Sequence, residues 1–203
     1  MPRLRKFSHS FHCVFGKSFT FLLFTVLFTF GLSFSEAKEG FKRAEKGKTL
    51  TLTEYFDFSC PLSAQSSKSL SSFKEKVGSR VRIVRKSLAF SEEGFSWIAG
   101  KYYHMLLNQN KKFAESFYKR VFEQTLKGEI NEAFLKNVIT DLGLDFAKFK
   151  LELKSPFLEK ELRRNEVLAN KSGIFVSPGY TLAGQVLLGK QESTDFGKLL
   201  SQR

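Results

Sequence analysis

Cys60 is the residue in this chain best placed for covalent chemistry. It stands in the segment Cys60-Pro61-Leu62-Ser63, where an alternating apolar stretch gives way to a helical pattern. That puts Cys60 at an N-cap position and Pro61 at the first helical position, where proline is welcome. A thiol there faces unpaired N–H groups and the positive end of the helix dipole, which favour the nucleophilic thiolate. Ser63 lies three residues on, its hydroxyl within expected reach of the sulfur. A serine cannot resolve a mixed disulfide, so transfer of the chain's own disulfide is excluded unless a second protein supplies a thiol. Two kinds of exchange stay open. One is isomerase- or reductase-like attack on a client disulfide, released by the client's second thiol. The other is handling of glutathione mixed disulfides or sulfenic acids, for which one cysteine suffices. The plainer alternative is a buried, inert cysteine, against which the N-cap position argues.

Glu54 is the second residue of interest. Residues 49–58 alternate as a strand, with Leu50, Leu52, Phe56 and Phe58 on one side and Thr49, Thr51, Thr53, Tyr55 and Asp57 on the other. Period two places Glu54 on the apolar side. A carboxylate there is either buried at a cost or positioned for a reason.

The elements that must hold these residues follow from periodicity. A helix is expected over 61–77, with Ser66, Leu70, Phe73 and Val77 on one stripe and Gly78 as its stop. A strand is expected at Val81–Phe90. Helical segments follow at 95–108, 112–127, 131–142, 145–153 and 156–170, with Asn131, Asp145 and Ser155-Pro156 as N-terminal signals. Strand character returns at Ile174-Phe175-Val176 and in a hairpin of 180–183 and 186–188 about Gly184-Gln185. A terminal helix is expected over 193–202. Trp97 and the Phe-rich helices read as core. His104 reads as a partly buried helix residue, since no nucleophile elbow accompanies it.

Ahead of this domain, residues 1–37 have the composition of a signal peptide: Arg3, Arg5, Lys6 and Lys17, an apolar run from Phe19 to Leu32, then Ser35-Glu36-Ala37 as a cleavage site. The run is short for a membrane span, so a membrane association is expected only if the segment stays as an anchor. Residues 38–48 read as a polar linker. Cleavage removes Cys13, His9 and His12 and leaves Cys60 and His104, which make no internal disulfide and a poor zinc site, so no metal or cofactor is expected. The net charge is +13, but the basic residues are scattered, with short clusters such as Arg80, Arg82, Arg85 and Lys86. This reads as a basic soluble surface with no nucleic acid partner.

Element order and three local segments together resemble the DsbA-like branch of the thioredoxin superfamily over residues 45–203. The segments are Thr53-Glu-Tyr-Phe-Asp-Phe-Ser-Cys-Pro-Leu-Ser63, Gly173-Ile-Phe-Val-Ser-Pro-Gly-Tyr-Thr-Leu-Ala-Gly184 and Ile139-Thr-Asp-Leu-Gly-Leu-Asp145. The resemblance implies an α/β thioredoxin fold with a helical domain inserted mid-fold, at about 92–170 of a 49–203 domain. It implies that Glu54 is a buried acid relaying protons to and from the sulfur. It also implies that Pro178 is a cis-proline packed against Cys60 beside a strand edge open to an extended peptide. Pro61, Leu62, Ser177 and Pro178 would then line the client surface. The chain departs from the family pattern at Ser63, which replaces the second cysteine, at Ser177, where Thr or Val is usual, and at Gly179, where Thr is usual. The expected function is an exported, periplasmic thiol–disulfide exchange protein acting through one cysteine, with cysteine-containing clients or low-molecular-weight thiols as partners. The alternative is a non-catalytic binding or chaperone module.

Overall fold

The computed structural model describes residues 49–92, 94–128 and 130–201. The expected signal peptide at 1–37 and the linker at 38–48 lie outside them. Strand β1, Leu50–Phe56, leads through a turn into helix α1, Pro61–Val77, and a single 3-10 turn returns the chain to β2, Val81–Ser87. Five helices follow: α2 Phe95–Gln109, α3 Lys111–Thr125, α4 Glu132–Asp141, α5 Phe146–Glu152 and α6 Pro156–Lys171. The chain ends with β3 Gly179–Leu182, β4 Gln185–Leu188 and α7 Ser193–Ser201. The sheet order is β2-β1-β3-β4, with β1 parallel to β2 and antiparallel to β3. This is the expected α/β arrangement, with helices inserted between β2 and β3.

Both faces of β1 are covered, which explains why its alternation does not mark a wet side. Leu52 packs with Leu70, Phe73 and Val77 of α1 and Phe196 of α7. Tyr55, assigned by period to the polar side, is buried against Leu88, Ala169 and Ile174, because α6 closes that face. At the end of β1, Phe56 and Phe58 enter the helical layer. Phe56 stands edge-on to Phe58, Tyr118 and Tyr103, with ring centroids 4.9, 5.1 and 5.6 Å apart. Edge-to-face pairs of this kind contribute about 0.5–1.5 kcal/mol each beyond their burial. The aromatic cluster therefore fixes the end of β1 against α2 and α3, immediately ahead of Cys60.

Several boundaries differ from the sequence reading. Strand β1 stops at Phe56 and β2 at Ser87, and the bond from Leu88 N–H to the carbonyl of Phe56 is the last rung of their ladder. Ile174-Phe175-Val176 is no strand: Ile174 alone is buried, while Phe175 and Val176 are exposed. The hairpin turn is Ala183-Gly184, one residue earlier than expected, both with positive φ (60° and 82°), as a two-residue hairpin demands. Asn131 and Asp145 do cap α4 and α5, accepting from Phe134 N and from Ala147 and Lys148 N. Ser155 precedes α6 without a side-chain cap bond. Trp97 and His104 are both buried. His104 Nε2 lies 3.1 Å from Ser87 Oγ and 3.0 Å from Asn165 Nδ2, a polar pin joining β2, α2 and α6. Among the described residues no helix is long and apolar enough to cross a membrane.

Candidate active site

The turn between β1 and α1 builds the site. Cys60 N–H donates to Asp57 O at 3.1 Å, and Ala64 N–H donates to Cys60 O, starting the helix. Cys60 is the N-cap in extended conformation, with Pro61 directly behind it in the first turn. Its thiol is partly exposed and donates to Ser177 O at 3.3 Å. The Ser177-Pro178 bond is cis, and Pro178 is buried beside the site while Pro61 and Leu62 face outward. So Cys60, Pro61, Leu62, Ser177 and Pro178, remote in sequence, meet at one end of the sheet.

Ser63 is wholly buried. It accepts the N–H of Asp57 at 3.4 Å and pairs with Ser177 Oγ at 2.8 Å. Helix geometry turns position 63 inward, toward the loop that carries Ser177. Ser177 thus holds both motif positions, its carbonyl on Cys60 and its hydroxyl on Ser63. Its departure from the usual Thr or Val is matched by the serine opposite.

Glu54 is fully buried. Its two carboxylate oxygens accept from Arg85 Nε at 2.9 Å and from Tyr118 Oη at 2.7 Å. Arg85 lies over the Tyr118 ring, 4.2 Å from its centroid, and also pairs with Glu115. Burial pushes the Glu54 carboxyl above its usual range, and Arg85 and Tyr118 pull it back. Both oxygens are engaged in this internal cluster, and neither bonds to Cys60 or Ser63.

Asp57 belongs to the site and was missed. The sequence reading ran the strand through Phe58 and treated Asp57 as a polar-face residue. Instead its Oδ1 accepts from Ser59 N at 2.7 Å and from Ser96 Oγ in the first turn of α2, with Ser59 Oγ 2.7 Å from Ser96 Oγ. Burial raises its carboxyl, and the hydrogen bonds from Ser96 and Ser59 lower it. The signal available was an Asp two residues before a Ser in a tight turn, the pattern of an Asx-turn. Arg85 and Tyr118, the partners of Glu54, were missed as well. Their pairing depends on residues more than thirty positions apart.

Gly179 has a spatial reason. A Cβ there would overlap Ile174 Cγ2 and lie 3.3 Å from Cγ1 and 3.4 Å from Cβ. Ile174 occupies the room that a larger residue after the cis-proline would need. Beyond it, Leu88, Ala89, Phe90, Glu166, Ile174 and Phe175 line a cleft of about 300 Å³ that starts at the base of the Ser177 loop. A cleft of about 610 Å³ lies on the helical layer, between residues such as Trp97, Ile98, Leu135 and Leu153, and none of the site residues lines it. Among the described residues no group of three or more His, Cys, Asp or Glu side chains is arranged to hold a metal ion.

Residues 45–202 match the protein family described as Thioredoxin. No curated protein matches the chain. Solved structures are similar throughout the domain. The thiol-disulfide exchange protein alpha-DsbA2 from Wolbachia pipientis superposes with a TM-score of 0.68 at 13% identity, over 78% of this chain and 84% of that one. A thioredoxin-like oxidoreductase from Silicibacter pomeroyi gives 0.66 at 19%, over 75% and 85%. A periplasmic thioredoxin-like protein from Salmonella enterica serovar Typhimurium gives 0.64 at 16%, over 79% and 87%. At such identities the likeness speaks to the fold: a thioredoxin-like α/β sheet with a helical insertion.

Proposed function

The chain belongs to the thioredoxin family matched by residues 45–202, and on that premise we propose that it is an exported thiol–disulfide exchange protein working through Cys60 alone. The observation that carries the reading is the placement of a partly exposed thiol at the start of α1, hydrogen-bonded to the carbonyl before a cis-proline, with Ser63 where a resolving thiol would stand. The names of the structural neighbours, two of them an exchange protein and an oxidoreductase and one periplasmic, support the same direction. So does the composition of residues 1–37.

In the exchange, the Cys60 thiolate attacks one sulfur of a client disulfide. A Cys60–client bond forms, the client S–S bond breaks, and the displaced client sulfur leaves as a thiolate that takes a proton from water. A client thiol or a small thiol then attacks the client sulfur of the mixed disulfide and releases Cys60 as thiolate. Resolution by the client rearranges disulfides with no net redox change; resolution by two small thiols reduces the client. Pro61, Leu62, Ser177 and Pro178 form the surface that a client reaches first. Asp57 latches the turn that carries Cys60, and Glu54 braces β1 beneath it.

Incubating the full chain with oxidised glutathione tests the proposal. A glutathione adduct on Cys60, removed by added thiol and absent from Cys60→Ala, is the expected result. A Cys60 that stays unmodified refutes it. The exposure of Leu62, Phe175 and Val176 around the thiol favours a second reading, a peptide-binding module without chemistry. It predicts that Cys60→Ala keeps full affinity for unfolded client polypeptide while no adduct forms in the parent chain.

A further inference from the structure

The cleft of about 610 Å³ on the helical layer has no part in the Cys60 site, yet it has the make-up of a small-molecule pocket. Its volume falls in the range of about 300–1,000 Å³ usual for such sites. Phe95 and Ile98 of α2, Leu135 of α4 and Leu153 just after α5 give it apolar walls. Tyr102 of α2 lines it too. That residue is 2% exposed, and its ring is fixed by a stack on Phe117 at 5.9 Å and by Phe149 at 5.1 Å. Its hydroxyl has no hydrogen-bond partner among the described residues and is not sealed in, so it opens to the cleft. Burial, with Glu132 adding to it, pushes the phenol up to about 12, so it stands as an O–H donor.

The charges around the cleft are mostly positive. Lys101, Lys150 and Lys154 line it with a single acid, Glu132. Lys101 pairs with Glu159 at 3.1 Å, and Lys150 pairs with Glu132. Lys154 is exposed, and its ammonium has no ion pair among the described residues. An apolar trough with one free hydroxyl donor and one free cation fits an apolar body that carries a single negative charge. A phosphate head would ask for more donors than these two. We propose that this cleft binds a monomeric fatty carboxylate, its chain against the apolar walls and its head accepting from the Tyr102 hydroxyl, with Lys154 as counter-charge. The inference stands apart from the reading of Cys60, since no residue of that site lines the cleft.

The test is a titration of the full chain with dodecanoate below its micelle concentration. Trp97 is the chain's single tryptophan and lines the cleft, so its fluorescence reports occupancy there. A saturable change is expected. Tyr102→Phe should weaken binding about three- to tenfold through the lost hydrogen bond. Lys154→Gln should weaken it about two- to fivefold, the scale of an exposed ion pair. Ile98→Asp, at a position 46% exposed, sets an acid on the wall and should abolish saturation. Cys60→Ala should bind as the parent does. Thermal melting checks that each variant is folded, and the exposed Lys154→Gln decides the matter if another is not. A chain that gives no saturable response, as when a second copy or residues 1–48 cover the cleft, overturns the proposal. So does equal affinity for dodecanol or dodecyltrimethylammonium, which would make the cleft a general apolar face. Parental affinity in both Tyr102→Phe and Lys154→Gln overturns it as well.

Discussion

Replacing Gly179 by alanine tests whether Ile174 and Gly179 together set the loop that faces Cys60. Gly179 is not in the left-handed region, so alanine meets no backbone penalty and the effect is one of space alone. The new Cβ would overlap Ile174 Cγ2 and crowd Cγ1 at 3.3 Å, while the Ile174 Cβ stands at 3.4 Å. Ile174 is 1% exposed and packed among Tyr55, Leu88 and Ala169, so it cannot swing away freely. Overpacking of this kind costs about 1–3 kcal/mol, or roughly 2–4 °C of melting temperature per kcal/mol in a domain of this size. Ile174→Ala alone costs about 2–5 kcal/mol through the cavity it opens. The double variant removes both overlapping γ carbons and leaves ordinary contact at 3.4 Å, with the new methyl filling part of the cavity. Its cost should fall below the sum of the singles by about 1–3 kcal/mol. Urea denaturation of the four proteins measures the coupling. In Gly179→Ala the Cys60 alkylation rate should also change, because Ser177, which holds the thiol at 3.3 Å, is two residues away. Additive costs in the cycle, with an unchanged alkylation rate, would refute the argument.

Three further outcomes follow from the geometry. Burial pushes the His104 imidazole down to about 4 from its ordinary 6.5, so the unfolded chain binds a proton that the native state refuses. Stability should fall by about 3 kcal/mol as pH drops from about 6.5 to 4 and be flat above. The difference between the parent and His104→Gln isolates this from Glu54 and Asp57, whose raised carboxyls act in the opposite direction, and identical pH slopes in the two proteins would exclude it. Arg85→Ala strands the buried Glu54 carboxylate and should cost about 3–5 kcal/mol at neutral pH, read by chemical denaturation; a loss under 1 kcal/mol would mean the pair is not desolvated. Ser63→Cys should restore a vicinal dithiol that oxidises within the chain, seen as loss of both free thiols by mass after alkylation, and two thiols persisting under oxidant would show the helix start to be misaligned for a disulfide.

The strand into Cys60, the helix after it, the helical block and the returning hairpin were all legible in the chain, because each is written in local periodicity and in Pro, Gly and Asn signals. Cys60 itself was legible for the same reason: a cysteine followed by proline at the start of an amphipathic helix is a local pattern. The cis-proline loop was expected only through the family resemblance, and the buried Glu54 through that resemblance joined to its period-two place on the apolar side. Asp57 was hidden because its role needs a turn and the N-terminus of α2, and a strand pattern does not announce where the strand ends. Ile174-Phe175-Val176 misled because three apolar residues cannot state whether they pair or pass exposed toward a proline.

The sequence by itself determined that one thiol sits at a helix start and that no second thiol follows it, since both are matters of residue identity and neighbouring spacing. Only the tertiary structure decided what surrounds that thiol: the Ser177 carbonyl on its sulfur, the Ser63–Ser177 hydroxyl pair, the Arg85–Glu54–Tyr118 cluster and Tyr180 opposite Glu54. Each of these joins segments 31 to 126 positions apart. Such contacts come from the way the sheet and helices bury their faces together, and periodicity within one segment carries no record of which distant side chain will arrive opposite.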